Sequence, residues 1–237
     1  MLRVIGWIGM LHVFIITVWL GINVVFNIMN PITFETGKTI AENGIAYYSE
    51  FPGYLGFDHG SKAFVFTLST LLPIGLFIYL KRLKQFDLLN IVAFISGCLG
   101  FVLTSLSLIL QAVTVEYAFN LYNTQTDEIA RGFATHLYEW SMLEGGFSTS
   151  IYIIANLGIA IWIIIHSYGL AQLANSKKLS LFGYIIGSGQ IIGLFSAWFF
   201  LMQGKQSMHT FNEVIGFFIM IWILLISIKM IRGKITV

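Results

Sequence analysis

The stretch "HTFNEVIG", residues 209–216, places His209 and Glu213 four residues apart at the head of a long apolar run. On a helix that spacing puts an imidazole and a carboxylate on one face. The stretch "HLYEWSMLE" repeats the theme with His136 and Glu139 at a spacing of three. Imidazole and carboxylate together suit zinc, iron or manganese, and helix bundles build di-metal sites from such pieces. The chain has no HExxH, no paired ExxH motif and no cysteine cluster. Three readings therefore stay open for these groups. They form a metal site on His136, Glu139, His209 and Glu213, a pocket that binds a proton or small ligand, or a solvated acidic rim.

Other ionisable groups also fall close to the ends of apolar runs. "DHG" (Asp58, His59) precedes the second run, Glu116 follows the third, and Glu144 precedes the fourth. If these ends converge, Glu116, Glu144, His209 and Glu213 line one outer cavity, with Asn27 and Gln111 deeper. Glu213 is the sharpest candidate. Counting ~20 residues back from Lys229 leaves it about one turn inside the hydrocarbon boundary. A carboxylate there is costly unless it is paired, wet or protonated. The alternative is a Glu that reaches the headgroups, paired with Lys205.

Polar stripes run inside the apolar segments. His12, Asn23, Asn27 and Asn30 fall within about 60° on a helix of 3.6 residues per turn. Thr104, Ser107 and Gln111 share a face, and Ser188 and Gln190 lie among glycines. Such stripes face protein, either as interhelical hydrogen bonds or as the lining of a polar path. His12 and His166 fall toward the same membrane face, and paired histidines can ligate a haem. No second histidine pair supports an electron-transfer chain, and no cofactor is named by the sequence. Gly-rich phosphate loops and GxSxG elbows are absent. The basic clusters are short, which suits topology and anionic lipid, not nucleic acid.

The elements that must position these groups are transmembrane helices. Of 237 residues, 57% are hydrophobic and 10% charged, against about 25% charged in a soluble domain. Six apolar runs, roughly 4–29, 61–80, 88–115, 145–173, 179–203 and 209–228, are long enough to cross a ~30 Å core. The first is too long for a signal-peptide core, and no small-residue cleavage site follows it. Cys98 is the single cysteine, inside an apolar run, so it gives no disulfide signal.

Charge sets the orientation. The segments at Arg3, "KRLKQFD", "NSKK" and "KMIRGK" hold nine basic residues and one acid, a net +8. The remaining connections hold four basic residues and ten acids, a net −6, and together they give the chain's +2. The positive-inside rule then places both termini in the cytoplasm, in a cell inner (plasma) membrane. The outer segments are substantial. Residues 30–60 form a cap segment in which "ETGKTIAENGIAYYSEF" suits an amphipathic helix and "FPGYLG" a turn. Residues 116–144 form a second outer connection. The third and fourth runs are longer than a plain span, so those helices project past the bilayer or tilt.

The order of parts resembles a known family. A first span leads to "TIAENGIAYY", then to a span ending in "FIYLKRLK". Later "HSYGLAQLANSKKLSLFGYIIGSGQIIGLF" gives a span, a short basic turn and a Gly-containing span. Over roughly residues 5–200 this resembles the bacterial DUF4386 family of six-helix membrane proteins. The chain departs from that pattern where "KKLSLFGY" stands without a proline before the fifth span. The resemblance implies the topology and carries over no activity or catalytic residue set.

The expectation is an all-α polytopic bundle of six helices forming a single domain, residues 1–237. Its expected partners are the lipid bilayer, a small ligand or cation in the outer cavity, and another membrane protein. The rival readings are a membrane-embedded metalloenzyme acting on a lipid-like substrate and a non-catalytic subunit of a membrane complex.

Overall fold

The computed structural model describes residues 1–81, 87–143, 147–202 and 209–232. Side chains are described for all of these except 147–149, 174, 200–202 and 209–213. The described residues are mostly helical, with no strand among them. The helices are α1 (Leu2–Met29), α2 (Ile40–Tyr48), α3 (Tyr54–Ser69), α4 (Leu71–Leu80), α5 (Asp87–Thr124), α6 (Glu128–Met142), α7 (Phe147–Ala171), α8 (Lys177–Met202) and α9 (His209–Arg232). A short 3-10 turn, Ala174–Ser176, joins α7 to α8.

Six segments among the described residues are long and apolar enough to cross a membrane. They are α1, α3 with α4, α5, and most of α7, α8 and α9. This chain is therefore read as a multi-pass integral membrane protein. The second span begins at Tyr54, so Asp58 and His59 lie inside a helix and not ahead of one. "FPGYLG" is a turn only in its first half, since α3 starts at its tyrosine. The span breaks at Thr70 for a local reason. Pro73 has no N–H, so the Ser69 carbonyl loses its helical donor. Thr70 answers with a tighter bond, its N–H reaching Thr67 O at 3.3 Å and its hydroxyl the same oxygen at 2.7 Å.

The chain forms two compact units. The first comprises Met1–Phe14, Val65–Thr104 and Ile153–Val237; the second comprises Ile15–Phe64 and Ser105–Tyr152. The first unit has a core of Leu72, Leu76, Phe101, Trp162, Trp222 and Ile223 with their neighbours. Lys229 ties the end of α9 to the α7–α8 turn, donating to Asn175 O at 2.6 Å and Ser176 Oγ at 2.7 Å. Gln190 is buried and donates to Asn156 Oδ1 at 3.2 Å. The polar stripe on α8 thus turns inward at this position, while Ser188 is exposed.

The second unit explains why α5 is so long. Its 38 residues reach about 57 Å at 1.5 Å per residue, well beyond the ~20 residues a bilayer needs. The surplus turns carry Val115, Ala118 and Phe119 into a second core with Ala41, Ile45, Leu55, Ala134 and Tyr138. α2 lies within "ETGKTIAENGIAYYSEF", the stretch expected to hold an amphipathic helix. Thr39 and Glu42 close a capping box at its start, with Thr39 N–H donating to Glu42 Oε2 at 2.6 Å and Glu42 N–H to Thr39 Oγ1 at 3.1 Å. α6 occupies most of the 116–144 connection. Its buried residues Ala134, Tyr138 and Ser141 recur at helical spacing, and Asp127 caps it by accepting from Ala130 N–H at 3.2 Å.

Candidate functional site

The first turns of α3, in the second unit, bring together three ionisable side chains, those of Asp58, His59 and Lys62. Asp58 is 3% exposed. Both its oxygens face the Lys62 ammonium, at 2.6 and 2.8 Å, four residues along the same helix. His59 Nδ1 lies 3.5 Å from Asp58 Oδ2 and 2.9 Å from Leu55 O. A carbonyl only accepts, so Nδ1 carries the hydrogen and Nε2 is left as the basic nitrogen. The site thus combines a sheltered carboxylate, an ammonium and an imidazole whose tautomer is fixed by its own helix.

Glu116, from α5, meets the same helix one turn earlier. Its Oε2 accepts from Gly53 N–H at 3.1 Å and its Oε1 from Gly56 N–H at 3.0 Å. These donors belong to the start of α3, where backbone N–H groups have no intrahelical partner. Glu116 therefore does from a distance what a capping box does locally, and its negative charge sits at the positive end of the helix dipole. Glycine at 56 makes room: a Cβ there would stand 2.6 Å from Glu116 Cγ and 2.7 Å from Oε1.

Aromatic side chains flank the cluster. Tyr54 donates to Asn23 Oδ1 at 2.6 Å and stacks on Phe26 at 3.9 Å between centroids. The Tyr47 hydroxyl donates to Asn30 O. Burial pushes the Tyr48 phenol above its ordinary value, and the charges of Tyr47 and Asp58 push it the same way. Of the α1 stripe, the Asn23 side chain thus meets another helix, whereas the Asn30 side chain bonds Phe26 O of its own segment at 3.3 Å.

The other expected site residues are placed as follows. Asn27 is exposed on α1, and Gln111 is half-buried on α5. His136 and Glu139 face one another at 3.4 Å on α6, with side chains 80% and 54% exposed. Among the described residues no group of three or more His, Cys, Asp or Glu side chains could hold a metal ion. Glu144 lies outside the described residues. His209 and Glu213 belong to the first turns of α9, but their side chains lie outside the described ones.

His12 and His166 both lie in the first unit. Phe101 and Trp162 fill the interval between them: His12 is edge-on to Phe101 at 6.3 Å, Phe101 to Trp162 at 5.3 Å, and Trp162 to His166 at 5.9 Å. His12 Nδ1 is bonded to Ser69 Oγ at 2.8 Å. The aromatic rings occupy the place a haem between these imidazoles would need.

Lys62 and Tyr54 are the site members that sequence reasoning passed over. The signal was present in "DHGSK", where Asp58 and Lys62 stand at the four-residue spacing of a helical ion pair. No protein-family model, no curated protein and no solved structure matches the chain.

Proposed function

We propose that this integral membrane protein binds a small polar solute, with exchange of a proton, at the Asp58–His59–Lys62 cluster. One observation carries the reading: a carboxylate 3% exposed, paired with an ammonium at 2.6 Å, inside a helix apolar enough to cross a membrane. Taking two such charges out of water costs several kcal/mol per ion, and ionisable groups in membrane segments mark solute or proton sites by default. Lys62 already neutralises Asp58, so a bare metal cation would have to displace it. A solute with both donor and acceptor groups, or a proton passing between Asp58 and His59, fits the pair as it stands. In this reading Glu116 holds the head of α3 in place. Both termini lie in the cytoplasm and the cluster on the opposite side of a plasma (inner) membrane, as the basic segments favour. The order of spans and turns supports kinship with the DUF4386 family.

The test is thermal unfolding of the purified chain in detergent with 10 mM amino acids, polyamines or monosaccharides, at about pH 5 and pH 8. A solute at 100 times its Kd stabilises the folded state by about 2.7 kcal/mol. The expected result is a rise in Tm with one of these classes that Asp58→Asn or Lys62→Gln abolishes. A wild-type Tm unmoved by every probe, or an equal rise in the variants, overturns the reading.

A further inference from the structure

In the second unit, the half of α1 that leads toward α2 carries an open groove of about 640 Å³. Among the described residues it follows one face of the helix from Val18 to Asn30, by way of Gly21, Ile22, Val25 and Met29, with Phe26 beside them.

The sequence builds this shape locally. A Cβ built on Gly21 meets no atom within 4 Å, so the glycine leaves a notch among Val18, Ile22 and Val25. Those three are β-branched, and in a helix such side chains hold one χ1 rotamer. Phe26 is fixed by other rings. It stacks on Tyr54 at 3.9 Å between centroids and meets Phe51 edge-on at 4.9 Å and Tyr47 at 6.2 Å. The walls are therefore stiff before anything lies against them.

The surroundings decide what does. No lining residue is charged, and all but Asn30 belong to the first span, Leu2–Met29. The medium facing the groove is hydrocarbon. From Val18 to Asn30 the helix rises about 18 Å at 1.5 Å per residue. One leaflet holds about half of the ~30 Å core, and a span of 28 residues tilts to fit, which lengthens that share along its axis. The groove is thus as long as one leaflet is deep. Asn30 marks its polar end, where the Tyr47 hydroxyl donates to the Asn30 carbonyl, an aromatic with a polar tip at the level where interfacial aromatics gather. A second copy of α1 fits this face less well. Close helix packing in lipid uses small residues four apart, and the positions four and eight beyond Gly21 are Val25 and Met29.

We propose that the groove binds one acyl chain of a phospholipid in the leaflet that carries Asn30. The chain lies along α1 from Val18, toward mid-membrane, to Asn30, with the ester and headgroup beyond. Stiff walls give it dispersion contacts that fluid neighbouring lipids do not. With no charge in the lining, the groove selects the chain and not the headgroup. This site is independent of the Asp58 cluster.

The test is native mass spectrometry of the chain taken into detergent from bilayers of phosphatidylethanolamine and phosphatidylglycerol. After bulk lipid is washed away, the expected spectrum retains one phospholipid per chain, with both headgroups represented. Gly21→Phe should lose it, because the ring fills the notch. Leu20→Phe, at an exposed position on another face of α1, should keep it. No retained lipid in the wild type, retention of one headgroup alone, or equal retention in Gly21→Phe overturns the proposal. Benzoylphenylalanine at Val25, photolysed in the washed sample, gives a second reading that leaves Gly21 intact. A lipid adduct supports the site. A detergent adduct alone overturns it, and so does a chain-to-chain adduct, which would assign the face to a second copy.

Discussion

Asp58 and Lys62 are held together by the cost of separating them. Removing one partner of a buried ion pair strands the other charge and costs about 3–5 kcal/mol. The Lys62 side chain is 21% exposed, so Lys62 can swing toward water, and Asp58→Asn should fall at the low end of that range. Lys62→Met leaves the more deeply buried carboxylate alone and should unfold at the lower temperature of the two. The double variant Asp58→Leu/Lys62→Met should recover most of the loss in a thermal melt in detergent. Glu116 makes a different prediction, because Gly56 and Glu116 act on one contact. Gly56→Ala pushes the carboxylate off the head of α3, and Glu116→Ala deletes it. Each should cost about 1–2 kcal/mol, the range of a lost cap. Because the loss is shared, the double variant should be no less stable than Glu116→Ala alone, whereas full additivity would show that the two do not share the contact. The two cases also differ in how far they could be read from residues alone. Asp58 and Lys62 are four positions apart, so their pairing is written in the local spacing. Glu116 finds its donors some sixty residues away, and no local pattern announces that.

At the scale of elements, the spans were legible because lipid permits so few solutions: a backbone crossing it must satisfy its own hydrogen bonds. α2 was also legible, since Thr39 and Glu42 write a capping box directly ahead of an apolar face. α6 was not. Its apolar positions Phe133, Ala134, Leu137 and Tyr138 do recur at helical spacing, but the run is too short and too charged to stand out beside the spans, and it is held through Tyr138 and Ala134 against residues of α2 and α5. The break between α3 and α4 follows from Pro73, whose missing N–H leaves the Ser69 carbonyl without a helical donor and so sets the break at Thr70. The α2 cap gives a pH-dependent prediction. The Thr39 backbone N–H, then its hydroxyl, hold the Glu42 carboxyl below its ordinary value. A carboxyl whose folded pKa is depressed adds stability above its unfolded value, and that stability is lost as pH falls through the folded one. The first amides of α2 should therefore be protected at neutral pH and lose protection in acid, read by hydrogen exchange corrected for the intrinsic pH dependence. Thr39→Ala should speed their exchange about fivefold at neutral pH, matching the ~1 kcal/mol an N-cap contributes. Protection unchanged by acid in the wild type would mean the box is not closed in solution.

For the whole molecule the governing quantity is where charge falls relative to six spans, and this is the one global property that the residues state directly. Nine basic residues against one acid around alternate span ends, and ten acids against four basic residues around the others, form an asymmetry that the positive-inside rule turns into one expected orientation. Moving a single lysine would not reverse it, because the bias is repeated at Arg3, at Lys81, at Lys177 and Lys178, and after Lys229. Cys98 makes the test simple: it is the sole cysteine, so Cys98→Ala gives a cysteine-free background. Single cysteines then replace Glu35, Gln125 or Asn175, each exposed in its connection. A membrane-impermeant maleimide applied to intact cells should label the first two and spare the third until the cells are opened. The sites at Glu35 and Gln125 are separated from Asn175 by an odd number of crossings, so a six-span chain must divide them in this way or its mirror. Labelling of Asn175→Cys alone would invert the molecule and put the Asp58 cluster on the cytoplasmic side. Labelling of all three would break the six-span count itself, and with it the premise that lipid surrounds the helix on which Asp58 and Lys62 pair.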